Sequence, residues 1–101
     1  MSVVFGDVDR DRERFRLTIG EDVEVVDTLQ SMVTYLDEHE DEDLVIVGPD
    51  ASMGVATDIA EKYRVDRPWL GVIVLRRRVE IQMMSEALRA GIREVIGADD
   101  A

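Results

Sequence analysis

The chain has 101 residues, 23 of them acidic and 12 basic, for a formal net charge of −11; this length holds one domain, residues 1–101, around one core. So negative a chain repels nucleic-acid phosphates and anionic membrane surfaces, and an aromatic content of 5% leaves little for stacking bases. The lack of cysteine excludes disulfides and thiol chemistry, MSVVFGDVD is no signal peptide, and no apolar run is long enough to span a bilayer, so the expectation is a cytoplasmic domain without direct membrane insertion.

Val3 to Phe5 predict a short buried strand. Residues 9–19, DRDRERFRLTI, predict a short charged helix ended by Gly20, although the alternation of Phe15, Leu17 and Ile19 also suits an extended segment. The β-branched run Val23 to Val26 predicts the second strand. In TLQSMVTYLDEHE, Leu29, Met32, Val33 and Leu36 recur at helical spacing behind Thr28, a suitable N-cap. An acidic run, Asp37 to Asp43, interrupted only by His39, closes that helix. Leu44 to Val47 predict the third strand, Gly48-Pro49 a turn, and Asp50 a cap for the next helix. That helix, in ASMGVATDIAEKYRV, gathers Met53, Ala56, Ile59, Ala60 and Tyr63 on one face and cannot pass Pro68. Trp69 is expected to pack at the edge of the fourth strand, Leu70 to Leu75, which is apolar on both faces as in the centre of a parallel sheet. VEIQMMSEALRAG predicts a fourth helix ending at Gly91, and Glu94 to Gly97 a fifth strand. Alternation of this kind implies a parallel sheet with helices on both faces; a final helix after the fifth strand is lacking.

The five-fold alternation and the turn ALRAGIREVI, Ala87 to Ile96, resemble the receiver domain of bacterial response regulators, a CheY-like, flavodoxin-like doubly wound fold. EALRAGIREV, within the longer stretch from DLVIVGPD to GADD, resembles more closely the N-terminal receiver-like domain of the TadZ/CpaE family of pilus-assembly proteins. That resemblance implies an atypical receiver working by protein–protein contact, as a homodimer or with other pilus-assembly proteins, ahead of an ATPase domain. It also implies recruitment to the inner face of the membrane or the cell pole, in assembly of the type IVb (Flp/Tad) pilus.

A phosphorylatable receiver needs two acids after the first strand to help bind Mg²⁺, an acceptor aspartate ending the third strand, a hydroxyl ending the fourth and a lysine ending the fifth. At the matching positions stand Gly6 and Asp7, with Asp9 nearby, then Gly48, Arg76 and Ala98, and Val95 takes the place of the switch aromatic. The resemblance therefore implies a degenerate pocket of Asp7, Gly48, Asp50, Arg76 and Ala98. The alternative register makes Asp50 the phosphoryl acceptor, with Asp7 and Mg²⁺.

Arg76-Arg77-Arg78 suits an anion or an acidic partner, or the chain's own carboxylates, Arg76 filling the vacated pocket. In the fourth helix Val79, Met83, Ala87 and Ala90 suit the core, whereas Ile81, Met84 and Leu88 form a second stripe that, with Val95, predicts a docking or dimer patch. His39 has no second His or Cys beside it and reads as part of a solvated face, so no metal site is expected. No Ser-His-Asp spacing, P-loop or G-x-G-x-x-G is present. The expectation is a non-enzyme without a cofactor, contacting neither nucleic acid nor lipid.

Overall fold

The computed structural model describes residues 2–6 and 23–97. Five strands, β1 (Ser2–Phe5), β2 (Val23–Val26), β3 (Leu44–Val47), β4 (Gly71–Arg76) and β5 (Glu94–Gly97), alternate with α1 (Leu29–Glu38), α2 (Met53–Tyr63) and α3 (Ile81–Ala90). The charged segment 9–19 and Gly20 lie outside the described residues, so the helix expected as the fourth is α3. All strand pairs are parallel, in the order β2-β1-β3-β4-β5. This is the doubly wound, flavodoxin-like sheet that the alternation predicts.

Register sets the core. Phe5 lies beside Val47, Val47 beside Val74 and Val74 beside Val95, and Val3, Val45 and Val72 form a parallel row one pleat away. Branched side chains suit such rows because few rotamers are lost on a pleated surface. The three described helices cover this face with Met32 and Leu36 of α1, Ile59 and Tyr63 of α2, and Ala87 and Ala90 of α3. Val4, Ile46 and Ile73 share the opposite face; Val4 is buried, Ile46 and Ile73 half-buried. Helices were expected on both faces, and those described pack on one.

Each helix end has a local cause. Thr28 caps α1, its Oγ1 accepting from the Ser31 N–H at 3.0 Å. Ser52, rather than Asp50, caps α2, accepting from the Val55 N–H at 3.4 Å; Asp50 is drawn instead to Arg77. Gly91 ends α3 with φ +87°, a left-handed conformation natural to glycine. The Ile92 N–H then reaches back to Ala87 O at 2.9 Å, and the Ile92 side chain is buried, as a Schellman ending requires.

Three local expectations change. Tyr35 joins the core while Leu29, the first residue of α1, stays 38% exposed. The α2–β4 turn, closed by Leu70 N–H to Arg67 O at 2.9 Å, leaves Trp69 52% exposed instead of packed at the edge. His39 is half-buried, its ring stacked on Tyr35 at 4.1 Å between centroids, because the chain doubles back after α1.

Candidate functional site

The carboxyl ends of the parallel strands gather the degenerate-pocket residues. Gly6, just past β1, has φ +87° and donates to Val26 O at 2.8 Å, so the backbone favours glycine where the pattern would place an acid. Gly48, just past β3, is buried and donates to Phe5 O at 2.9 Å. Its own carbonyl accepts from the Ala51 N–H at 3.2 Å, closing the turn that Gly48-Pro49 predicts.

Arg76, expected at the end of the fourth strand, is the last residue of β4. Its guanidinium folds over the loop after β3, donating from Nη1 to Pro49 O at 3.4 Å and from Nη2 to Ala51 O. Burial lowers its pKa from the ordinary value, because a desolvated cation is disfavoured; an arginine keeps its charge there all the same. Next to it Arg77 Nη1 meets Asp50 Oδ1 at 2.8 Å. Both partners are more than a third exposed, so that pair adds little stability. Arg78 is exposed. Asp7 and Ala98 lie outside the described residues.

The described residues of this edge are poorly suited to a divalent cation, which wants several oxygen ligands. Asp50 is ion-paired, the Arg76 charge covers the loop, and no group of three metal-ligating side chains occurs among the described residues. The described residues do not fit Mg²⁺. What the edge's described residues can do is hold the β3–α2 loop in one position through a fixed cation.

The apolar stripe on α3 faces outward. Ile81 is 87% exposed, Leu88 77% and Met84 42%, while Ala87 and Ala90 are buried on the opposite side. Val95 is apart from them: it stands in register with Val74 and packs, half-buried, against the core.

A second arginine was not foreseen from the sequence. Arg67, 8% exposed, donates from Nη1 to Leu36 O at 2.6 Å and from Nη2 to His39 O at 2.6 Å and Glu42 O at 3.2 Å. Its Cζ stands 5.8 Å from the Tyr63 ring centroid. Beside it Glu42 is 2% exposed and accepts from Tyr35 Oη at 3.5 Å. Burial raises the Glu42 carboxyl's pKa, and burial, then the Glu42 charge, raises that of the Tyr35 hydroxyl. The nearest sequence signal is Pro68 after Arg67, which stops a helix but says nothing of carbonyls thirty residues upstream.

A five-stranded parallel sheet in this order, with ligand-site positions at the carboxyl ends of β1, β3 and β4, defines a CheY-like receiver fold. Solved structures with that fold include a pilus assembly-related protein from Burkholderia pseudomallei, 22% identical, covering 95% of this chain and 75% of that one at TM-score 0.65. A response regulator receiver domain from Methanospirillum hungatei is 19% identical over 99% of this chain and 81% of its own, at TM-score 0.67. A CheY-like protein, tadZ, from Pseudomonas aeruginosa is 17% identical over 99% and 82%, at TM-score 0.65. At these identities the likeness is one of fold. No protein-family model and no curated protein matches the chain, and no described helix is long and apolar enough to cross a membrane.

Proposed function

We propose that this chain is a receiver-like interaction module that is neither phosphorylated nor catalytic, serving assembly or localisation of a type IVb (Flp/Tad) pilus. The observation that carries this reading is Arg76. Its guanidinium is bonded to the carbonyls of Pro49 and Ala51, over the loop where Gly48 replaces the acceptor carboxylate. A phosphoryl acceptor needs a carboxylate, a divalent cation and room for the incoming group; the loop offers a glycine at the strand end, its one carboxylate, Asp50, paired with Arg77, and main-chain bonds already made to Arg76. The outward stripe of Ile81, Met84 and Leu88 supports contact with another protein. The likeness to structures of pilus assembly proteins supports the pilus setting, with recruitment to the inner face of the membrane or the cell pole through that contact.

The test is amide NMR of the chain with Mg²⁺ and beryllofluoride, alongside mass spectrometry after acetyl phosphate. The expected outcome is unchanged resonances for Gly48 to Ala51 and an unchanged mass. A phosphoryl adduct on Asp50 would replace this reading with that of a phosphoryl-accepting receiver.

A further inference from the structure

α3 is held unevenly along its length. α1 and α2 first bury a side chain at their fourth residue, Met32 and Ala56, whereas α3 buries none before its seventh, Ala87. From Arg77 to Glu86, through the β4–α3 connection and the first half of the helix, no side chain is buried. Nor does a side chain cap the entry. Thr28 caps α1 and Ser52 caps α2, but Glu80 at the head of α3 makes no such bond, and the Met84 N–H reaches Glu80 O only at 3.4 Å. The other end is pinned. Ala87 and Ala90 pack in the core, Arg64 Nη1 donates to Arg89 O at 3.2 Å, and just past the Gly91 turn the Arg93 N–H donates to Val72 O at 2.9 Å. The loose end is tied by charge to the loop after β3. Arg77, the first residue past β4, meets Asp50 at 2.8 Å. Asp50 is a fixed catch, because Arg76 holds the carbonyls on either side of it, those of Pro49 and Ala51.

We propose that residues 77–86, the β4–α3 connection and the first half of α3, form a hinged segment that pivots on the pinned end of the helix and is latched by Arg77 on Asp50. The latch suits release. Both partners are more than a third exposed, and such a pair is weak and screened by salt. A segment with little buried surface opens at low cost. Latched, it sets Ile81 and Met84 in line with Leu88 on the outer face of α3. Unlatched, Leu88 stays with the pinned end and the other two leave it, so the latch decides whether the apolar stripe is continuous. Its use to the protein rests on the reading of that stripe as a docking surface; the hinge itself rests on the packing of α3.

The experiment is amide hydrogen exchange of the full chain by NMR at neutral pH, in wild type, Arg77→Gln, Asp50→Asn and the double variant. In wild type the amides of Met84, Ser85 and Glu86 are expected to exchange faster than those of Leu88, Arg89 and Ala90, and to quicken further as salt is raised. Each single variant is expected to quicken the first three by about threefold, the size of an exposed ion pair, and to leave Leu88 to Ala90 and α1 unchanged. The double variant adds nothing beyond the singles, because the two side chains act as one contact. The salt series on wild type gives the same readout with no substitution, should a variant fail to fold by circular dichroism. Exchange at residues 84–86 that ignores both substitutions and salt would overturn the latch. Equal protection along the whole of α3 in wild type would overturn the hinge. No partner enters the experiment, so either failure leaves docking on α3 standing.

Discussion

Two arginines bracket the β3–β4 pair, one at each end, and both spend their guanidinium on main-chain carbonyls. Arg67, before β4, clamps the acidic loop entering β3 through Leu36, His39 and Glu42. Arg76, at the end of β4, clamps the loop leaving β3 through Pro49 and Ala51. They differ in burial: Arg67 is 8% exposed, Arg76 half-buried. The Arg67 end closes a helix terminus and belongs to the scaffold. The Arg76 end lies where open α/β sheets place their chemistry, and there the guanidinium bridges two carbonyls of the loop.

That contrast breaks most readily at Arg67. Its removal takes a charged donor from three carbonyls, of which Leu36 O and His39 O keep a main-chain N–H, from His39 and Glu42, and leaves the space of a large side chain beside Tyr63. Arg67→Ala is expected to cost about 3 kcal/mol, the upper part of the range for losing a charge-assisted partner of buried polar groups. Urea unfolding measures it, and Arg67→Lys recovers only part of the loss because an ammonium cannot reproduce the planar fork.

At the other end Arg76→Ala is expected to cost about 1 kcal/mol, since one bond is long at 3.4 Å and water reaches the loop. Its larger signature is local. Amide exchange at Ala51 and Ser52 should quicken while that at α1 stays as it was. A cost as large as that of Arg67→Ala would make the two ends equivalent and remove the reason to read the Arg76 end as a former ligand site.

The sequence made one of these ends legible and hid the other. Strand and helix periodicity placed every described element to within a residue or two, and the departure at Gly48 could be read because Leu44 to Val47 is an unmistakable apolar run. Arg76 could be placed because it follows directly on another such run. Arg67 could not, since its partners are backbone carbonyls supplied by tertiary approach of α1 and the α2–β4 turn, and backbone carbonyls leave no mark in side-chain pattern. Val95, grouped with the α3 stripe from the sequence, proves half-buried against the core. It is grouped there because receivers dock through that helix and the fifth strand, and only the register with Val74 shows which face of the sheet it takes. The outward stripe of α3 was visible because Ile81, Met84 and Leu88 fall off the core stripe at helical spacing.

Glu42 sharpens the comparison within the scaffold end. Its carboxyl is buried and its pKa raised, burial being the main cause. A raised native value means that the stability linked to this group is fully present below the ordinary glutamate value, about 4.3, and is lost as pH rises through the native value. Glu42→Gln removes the charge but keeps an acceptor for the Tyr35 hydroxyl. The variant is therefore expected to melt at a higher Tm than wild type at neutral pH, with the difference closing as the pH falls toward about 4. A variant that melts lower at neutral pH would show the ionised carboxylate to be a favourable partner there.

The smallest expected effect on stability belongs to the surface to which the greatest functional weight is given. Ile81 and Leu88 are exposed by 87% and 77%, so almost none of their apolar area leaves water when the monomer folds. Ile81→Ser with Leu88→Ser is expected to change the unfolding free energy by no more than about 0.5 kcal/mol, the usual span for exposed substitutions, when measured in urea at a dilution that keeps the chain monomeric. Apolar side chains that add nothing to the fold remain open to a partner, as the proposed function requires. If the double variant instead costs as much as Arg76→Ala, those side chains take part in the monomer's own packing, and α3 is scaffold rather than a surface left open for another chain.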